Sequence, residues 1–260
     1  MIRINSVIIK AALLLLPLAA PAEPGFRMDF SGQLPGQAPE GWASVWQKPV
    51  DDVIYVTNAG DPANPEKRQL LIDRAHGEDH TYYRYQRRFR LADMGAAQAV
   101  RVSFRFKVEC ASLYDAPFEL EFGPANRRIM TLSFCLRSWG PNVFLYPVTL
   151  RSWTENWEAK RNLGEFRRNA WHRIELLLPY GENSPMRSGF GRLYDASGRP
   201  GPVFEVPALL PMSAESAVSI VPANKRKGAA IYLADFVFEP ASPRRLRIAG
   251  FAVSSGLRAA

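Results

Sequence analysis

The chain has 260 residues, 47% hydrophobic and 12% aromatic, with 33 Lys and Arg against 25 Asp and Glu, for a formal charge of +8. That apolar fraction excludes wholesale disorder, and the length suits one large β domain or two small ones. Two cysteines and three histidines form no zinc-ligand spacing.

Residues 1–22 read as a signal peptide. Arg3 and Lys10 precede the apolar run AALLLLPLAA, which is too short to span a bilayer as a helix. Ala20-Pro21-Ala22 satisfies the small-x-small cleavage rule, so the cut is expected before Glu23. No cysteine follows the apolar run, which argues against a lipid anchor. The mature protein is expected to be secreted or periplasmic, monomeric and without stable membrane insertion. Cleavage lowers the positive charge by two and leaves an excess of base. For an exported protein that points to acidic polysaccharide, envelope polymer or a membrane surface, not nucleic acid.

After Glu23 the apolar period is two. The stretches DDVIYVTN, RQLLIDRA and HTYYRYQRRFRL alternate, and LADMGAAQA suits one helical turn. VRVSFRFKVEC is the clearest strand, with Val100, Val102, Phe104, Phe106 and Val108 set against Arg101, Ser103, Arg105, Lys107 and Glu109. PFELEF, RIMTLSFCL, NVFLYPV, WHRIELLLP, GFGRLYDA, SAVSIVPA and AAIYLADFVFE follow. Turn signals separate them, among them Gly60-Asp61-Pro62, Gly123-Pro124, Gly140-Pro141 and Gly198-Arg199-Pro200-Gly201. Ten or so short strands predict an all-β fold, an antiparallel two-sheet β-sandwich over residues 23–240. Residues 241–260 read as a basic C-terminal tail. Export permits a disulfide between Cys110 and Cys135. Their strand phases set the two thiols on opposite sides of their apolar neighbours, so a bridge is disfavoured.

Three stretches resemble the concanavalin A-like lectin/glucanase superfamily. FRMDFSGQLPGQAPEGWASVW is similar to its opening strand and Gly-Trp segment. AWHRIELLLPYGENS with GRLYDASGRPG is similar to its Trp-His strand and the hairpin after it. AAIYLADFVFEP is similar to its closing strand with an embedded Asp. The resemblance spans about residues 26–240. It implies a jelly-roll sandwich whose concave sheet holds sugars, in lectins, binding modules, endoglucanases and alginate-type lyases. It also implies that Asp235 stands where some members place a residue near structural calcium; no other cofactor is expected.

Three groups of residues are candidates for the site. Glu119 and Glu121 leave one face of a strand about 7 Å apart, near the spacing of about 5 to 9.5 Å that glycosidases use. The superfamily's glucanase motif carries three acids, and Gly123 stands in place of the third. If residues 100–110 and 117–122 form a hairpin, Arg105 and Lys107 would pair with these glutamates, and that is the favoured expectation. In HTYYRYQRRFRL, Arg84, Gln86 and Arg88 share one side with Tyr82 and Arg90. Joined by Arg101 and Arg105, they would make an arginine-rich sheet able to grip carboxylate or sulfate. The third candidate is the segment SWGPNVFLYPVTLRSWTENW, where Trp139, Tyr146, Trp153 and Trp157, with Arg151, would stack on sugar rings.

His172 shares the phase of Ile174, Leu176 and Leu178 and is expected inside the core. His76 and His80 flank an acidic loop and make a weak metal signal. Polysaccharide recognition is the expected function. The alternatives are a glycoside hydrolase using Glu119 and Glu121, a lyase that neutralises a uronate with arginine and uses tyrosine as base, or a structural envelope protein.

Overall fold

The computed structural model describes residues 25–28, 30–44, 54–61, 64, 66–73, 85–91, 94–95, 97–110, 118–124, 130–137, 140–147, 161–206, 211–222 and 229–241. Among the described residues there are fifteen strands and no helix. They are β1 Phe26–Met28, β2 Trp42–Ser44, β3 Ile54–Thr57, β4 Gln69–Asp73, β5 Tyr85–Arg90, β6 Ala99–Cys110, β7 Phe118–Pro124 and β8 Met130–Arg137. They continue with β9 Gly140–Pro147, β10 Arg161–Glu165, β11 His172–Pro179, β12 Gly189–Tyr194, β13 Pro200–Val206, β14 Glu215–Pro222 and β15 Ala229–Ala241.

The strands form two antiparallel sheets, and the molecule is a jelly-roll β-sandwich as expected. One sheet has the order β13-β12-β11-β6-β15-β4-β3, with β1 added beside β15. The other has the order β10-β9-β8-β7-β14-β5-β2. Period-two alternation sends one face of each strand inward. Val100, Val102, Phe104 and Phe106 of β6 are fully buried, as are Ile174 and Leu178 of β11, Leu120 of β7, and Val218 and Ile220 of β14. Aromatic rings join the sheets. Phe238 of β15 lies 4.5 Å from Phe89 of β5 and 6.4 Å from Phe122 of β7, measured between centroids. Burying each such ring contributes about 1.5–3 kcal/mol. The partly exposed ion pairs on the outer faces contribute about 0–1 kcal/mol each, so this aromatic layer holds the sandwich together.

One irregularity decides what the closing strand presents. Ile231 and Leu233 of β15 point inward, and strict alternation would send Asp235 after them. Instead the register with β6 shifts between Ala234 and Val237. Asp235 takes a left-handed conformation, φ 53°, at this bulge and stays outside, while Phe236 and Phe238 turn in. The other edge of β15 changes neighbour at the same point, from β4 to β1.

Several expectations change. β6 and β7 form no hairpin; they lie in different sheets. β2, β10 and β13 are strands that alternation did not mark. β13 begins at Pro200, inside the predicted turn, because proline is tolerated as the first residue of a strand. The turn before it is held by Asp195, whose Oδ1 accepts hydrogen bonds from the backbone N–H groups of Ser197 and Arg199 at 2.9 Å. The Ser197 hydroxyl, followed by those backbone bonds, lowers the pKa of the Asp195 carboxyl to about 2. Cys110 ends β6 and Cys135 lies in β8, in opposite sheets. The signal-peptide residues and residues 242–260 of the tail lie outside the described residues.

Candidate functional site

On β5, Tyr85 and Phe89 are buried in the core, and Gln86, Arg88 and Arg90 leave the other face of the seven-stranded sheet. Gln86 is in register with Ser219 of β14, and Ser219 with Glu121 of β7. The same transverse line continues in the main chain through Thr131 of β8 to Tyr146 of β9. Arg88 Nε donates to Gln86 Oε1 at 3.0 Å, and Gln86 Nε2 donates to the Ser219 hydroxyl at 3.2 Å. A chain of polar groups thus runs from an exposed arginine across β5 and β14 toward a carboxylate that is only 4% exposed. Leu120 and Phe122, on either side of Glu121, belong to the core, so Glu121 is buried on the outward face. A buried carboxylate is costly outside polar surroundings, and Ser219 is its register partner on β14.

The sequence candidates separate. Glu119 and Glu121 share β7, bordered by β14 and β8. The expected pairs with Arg105 and Lys107 do not form, because those residues belong to β6 of the other sheet. Arg105 Nε instead binds Asp235 Oδ2 at 2.5 Å, and Lys107 Nζ lies 2.6 Å from Glu109. For the same reason Gln86 and Arg88 do not share a sheet with Arg101 and Arg105. Period-two phase places a side chain inside or outside without saying in which sheet. Arg84, Trp139, Arg151, Trp153 and Trp157 lie outside the described residues, as do His76 and His80.

Sequence reasoning missed a cluster on the outward face of the eight-stranded sheet. Arg105 and Lys107 meet Trp171, which precedes β11, and Tyr232 of β15. Arg105 Cζ lies 4.8 Å from the Trp171 ring centroid. Lys107 Nζ lies 4.5 Å from the centroid of Tyr232, and the Trp171 and Tyr232 rings meet edge-on. Lys107 and Tyr232 are each 7% exposed. The loop after β3 closes over them, and Trp171 Nε1 donates to the Gly60 carbonyl at 3.1 Å. The signal was present in the alternation. Trp171 is out of phase with His172, and Tyr232 with Ile231 and Leu233, so both rings follow Arg105 and Lys107 outward. A β-carbon on Gly60 would stand 2.5 Å from Tyr232 Cδ1. Gly60→Ala is therefore expected to destabilise the protein by about 1–3 kcal/mol, read as a lower urea midpoint. An unchanged midpoint would mean that the loop does not press on this ring.

His172 is buried, as its phase predicted. Its Nε2 accepts from the backbone N–H of Arg167 at 2.9 Å, and Nδ1 faces the Tyr194 carbonyl at 3.3 Å. Nε2 also lies 3.1 Å from the Arg167 carbonyl, so each ring nitrogen has a carbonyl acceptor in reach. Its ring stacks on Phe106. Burial lowers its pKa below 6.5, against the opposing pull of its backbone bonds and Asp195. When the pH falls below that value the unfolded chain takes up the proton first. The stabilisation is therefore complete above pH 6.5 and is lost as the pH falls through the folded-state value. Urea midpoints measured from pH 7.5 down to pH 5 should fall more steeply for the natural protein than for His172→Gln. Parallel profiles would remove His172 as the cause.

Among the described residues no three His, Cys, Asp or Glu side chains cluster as metal ligands. The carboxylate of Asp235 is committed to Arg105, and calcium needs six to eight oxygens.

No family model and no curated sequence matches this chain. Solved structures match it in fold. Lectin II from Ulex europaeus superposes with a TM-score of 0.51 at 11% identity, over 84% of this chain and 99% of the lectin. The CBM2 module of the evolved Dit of Lactobacillus casei BL23 phage J-1 gives 0.51 at 12% identity, over 83% of this chain and 94% of the module. At these identities the likeness is one of fold.

Proposed function

We propose that this protein is an exported polysaccharide-recognition protein of the concanavalin A-like type, binding an acidic glycan on the outward face of its seven-stranded sheet. The observation that carries this reading is the line Arg88–Gln86–Ser219, which runs in register toward the buried Glu121. The partly exposed Gln86 amide suits sugar hydroxyls, and the exposed Arg88 suits a uronate or sulfate, while the buried Ser219 and Glu121 lie beneath that face. The fold shared with a lectin and a CBM2 module supports the same reading, as does the basic charge of the chain.

The burial of Glu121 favours a second reading, a glycan-degrading enzyme in which Glu119 and Glu121 share acid and nucleophile or base roles. Affinity electrophoresis in gels cast with neutral, uronate-containing and sulfated polysaccharides, stained afterwards for polymer, separates the two. Retardation without clearing, weakened in Gln86→Ala/Arg88→Ala, is the expected result. A cleared zone that disappears in Glu119→Gln/Glu121→Gln would make the protein an enzyme. Absence of retardation in every gel would sink the glycan reading.

A further inference from the structure

His172 is the one histidine among the described residues, and it is 3% exposed. Its ring sits where three elements meet. It stacks on Phe106 of β6 and meets Phe166, just after β10, edge-on. Nδ1 faces the Tyr194 carbonyl of β12. Nε2 faces both polar groups of one residue, the Arg167 N–H at 2.9 Å and the Arg167 carbonyl at 3.1 Å. Two ring nitrogens thus confront one donor and two acceptors. A neutral imidazole offers one N–H and one lone pair. With its proton on Nδ1 it serves the Tyr194 carbonyl and accepts the Arg167 N–H, and the Arg167 carbonyl faces a lone pair. An imidazolium donates from both nitrogens. It serves both carbonyls and no longer accepts the Arg167 N–H. The charge on the ring therefore decides which group of Arg167 it holds.

The turn between β10 and β11 is anchored at both ends. Phe166 is buried in the core, and the Asn169 N–H donates to the Val108 carbonyl at 2.9 Å with Asn169 in a left-handed conformation, φ 59°. An adjustment at the ring therefore falls on Arg167 and Arg168, and Arg167 is exposed. The charged groups on the surrounding elements keep their charge while a histidine titrates. Arg167 and Arg168 of the turn stay cationic. Asp195 of the β12–β13 turn is acidic and bound to Arg199, so it stays an anion and favours the imidazolium. Glu165, at the end of β10, is exposed. Arg105 and Lys107 of β6, Arg173 and Glu175 of β11 and the Tyr194 ring leave the opposite face of the sheet. Burial opposes charge on His172, and the backbone bonds to Arg167 and Tyr194 work against that opposition.

We propose that His172 is a proton switch for the β10–β11 turn, its neutral ring holding the Arg167 N–H and its imidazolium releasing that N–H to hold the Arg167 carbonyl instead. Acid then reorients the exposed Arg167 segment while the two sheets stay in place. This device does not rest on the function proposed above.

The test is amide hydrogen exchange by NMR on the full chain, from about pH 7.5 down to about pH 4, with the His172 ring-nitrogen shifts followed in the same samples. Protection is corrected for the intrinsic pH dependence of exchange. As the ring nitrogens titrate, protection of the Arg167 amide should fall by roughly tenfold, the worth of one hydrogen bond. The Asn169 amide, bonded to Val108, should keep its protection and show that the fold is intact. In His172→Gln, which has no titrating ring, the Arg167 amide should show no such step. Steady Arg167 protection through the ring titration overturns the switch. An equal loss at Asn169 also overturns it, since that is general loosening. A ring that stays neutral until the protein unfolds does the same. These three outcomes are read on the natural chain and stand even where His172→Gln does not fold. A step retained in a folded His172→Gln assigns the change to another group and removes His172 as the switch.

Discussion

Replacement of Phe238 by alanine is expected to destabilise the protein by about 3–5 kcal/mol, the cost of removing a fully enclosed aromatic ring and leaving a cavity. The ring is fully buried and belongs to the layer that joins the sheets. Besides Phe89 and Phe122 it meets Phe26 of β1 at 6.0 Å, and Phe26 stacks in turn on Phe89 at 4.5 Å. One truncation therefore loosens contacts among β1, β15, β5 and β7. Such a loss is a large part of the roughly 5–15 kcal/mol that stabilises a typical domain. Urea unfolding should show a much lower midpoint with an unchanged slope. A loss below about 1 kcal/mol would mean that the sandwich closes without this ring.

Gly189→Ala is expected to cost about 1–3 kcal/mol or more by overpacking. A β-carbon there would stand 2.6 Å from the Leu177 carbonyl oxygen, 3.0 Å from Leu178 Cδ2 and 3.3 Å from Val206 Cβ. The nearest of these is backbone in the β11–β12 ladder, so relief requires moving a strand. Gly191→Ala is the useful contrast. The nearest atom to its added carbon belongs to the Phe204 ring, at the end of a side chain that can rotate. Gly189→Ala should therefore lower the urea midpoint more than Gly191→Ala does. The reverse order would show that β12 shifts on β11 more easily than Phe204 turns.

Alternation in VRVSFRFKVEC identified the inward set of β6 and its outward cations because sheet pleat has a period of two whatever the partner strand. The same rule placed His172 inside, and Gln86 and Arg88 outside. It failed at Asp235, where the bulge adds a residue and resets the phase, a local conformation that the apolar pattern of AAIYLADFVFE does not encode. It also failed to pair Glu119 and Glu121 correctly. Residues 100–110 and 118–124 are neighbours in sequence, and proximity suggested a hairpin, yet the chain crosses between sheets in that interval.

The sequence by itself determined the class of fold and, outside the bulge, which side chains face the core, since both follow from local hydrophobic periodicity and turn chemistry. Only the tertiary structure decided which charges meet. Strand order is set by long-range pairing and by the packing of one sheet on the other. That order moved Arg105 away from Gln86 and Glu121 and placed it beside Arg173, Trp171 and Asp235. It also aligned Gln86, Ser219 and Glu121, from three strands distant in sequence, along one line.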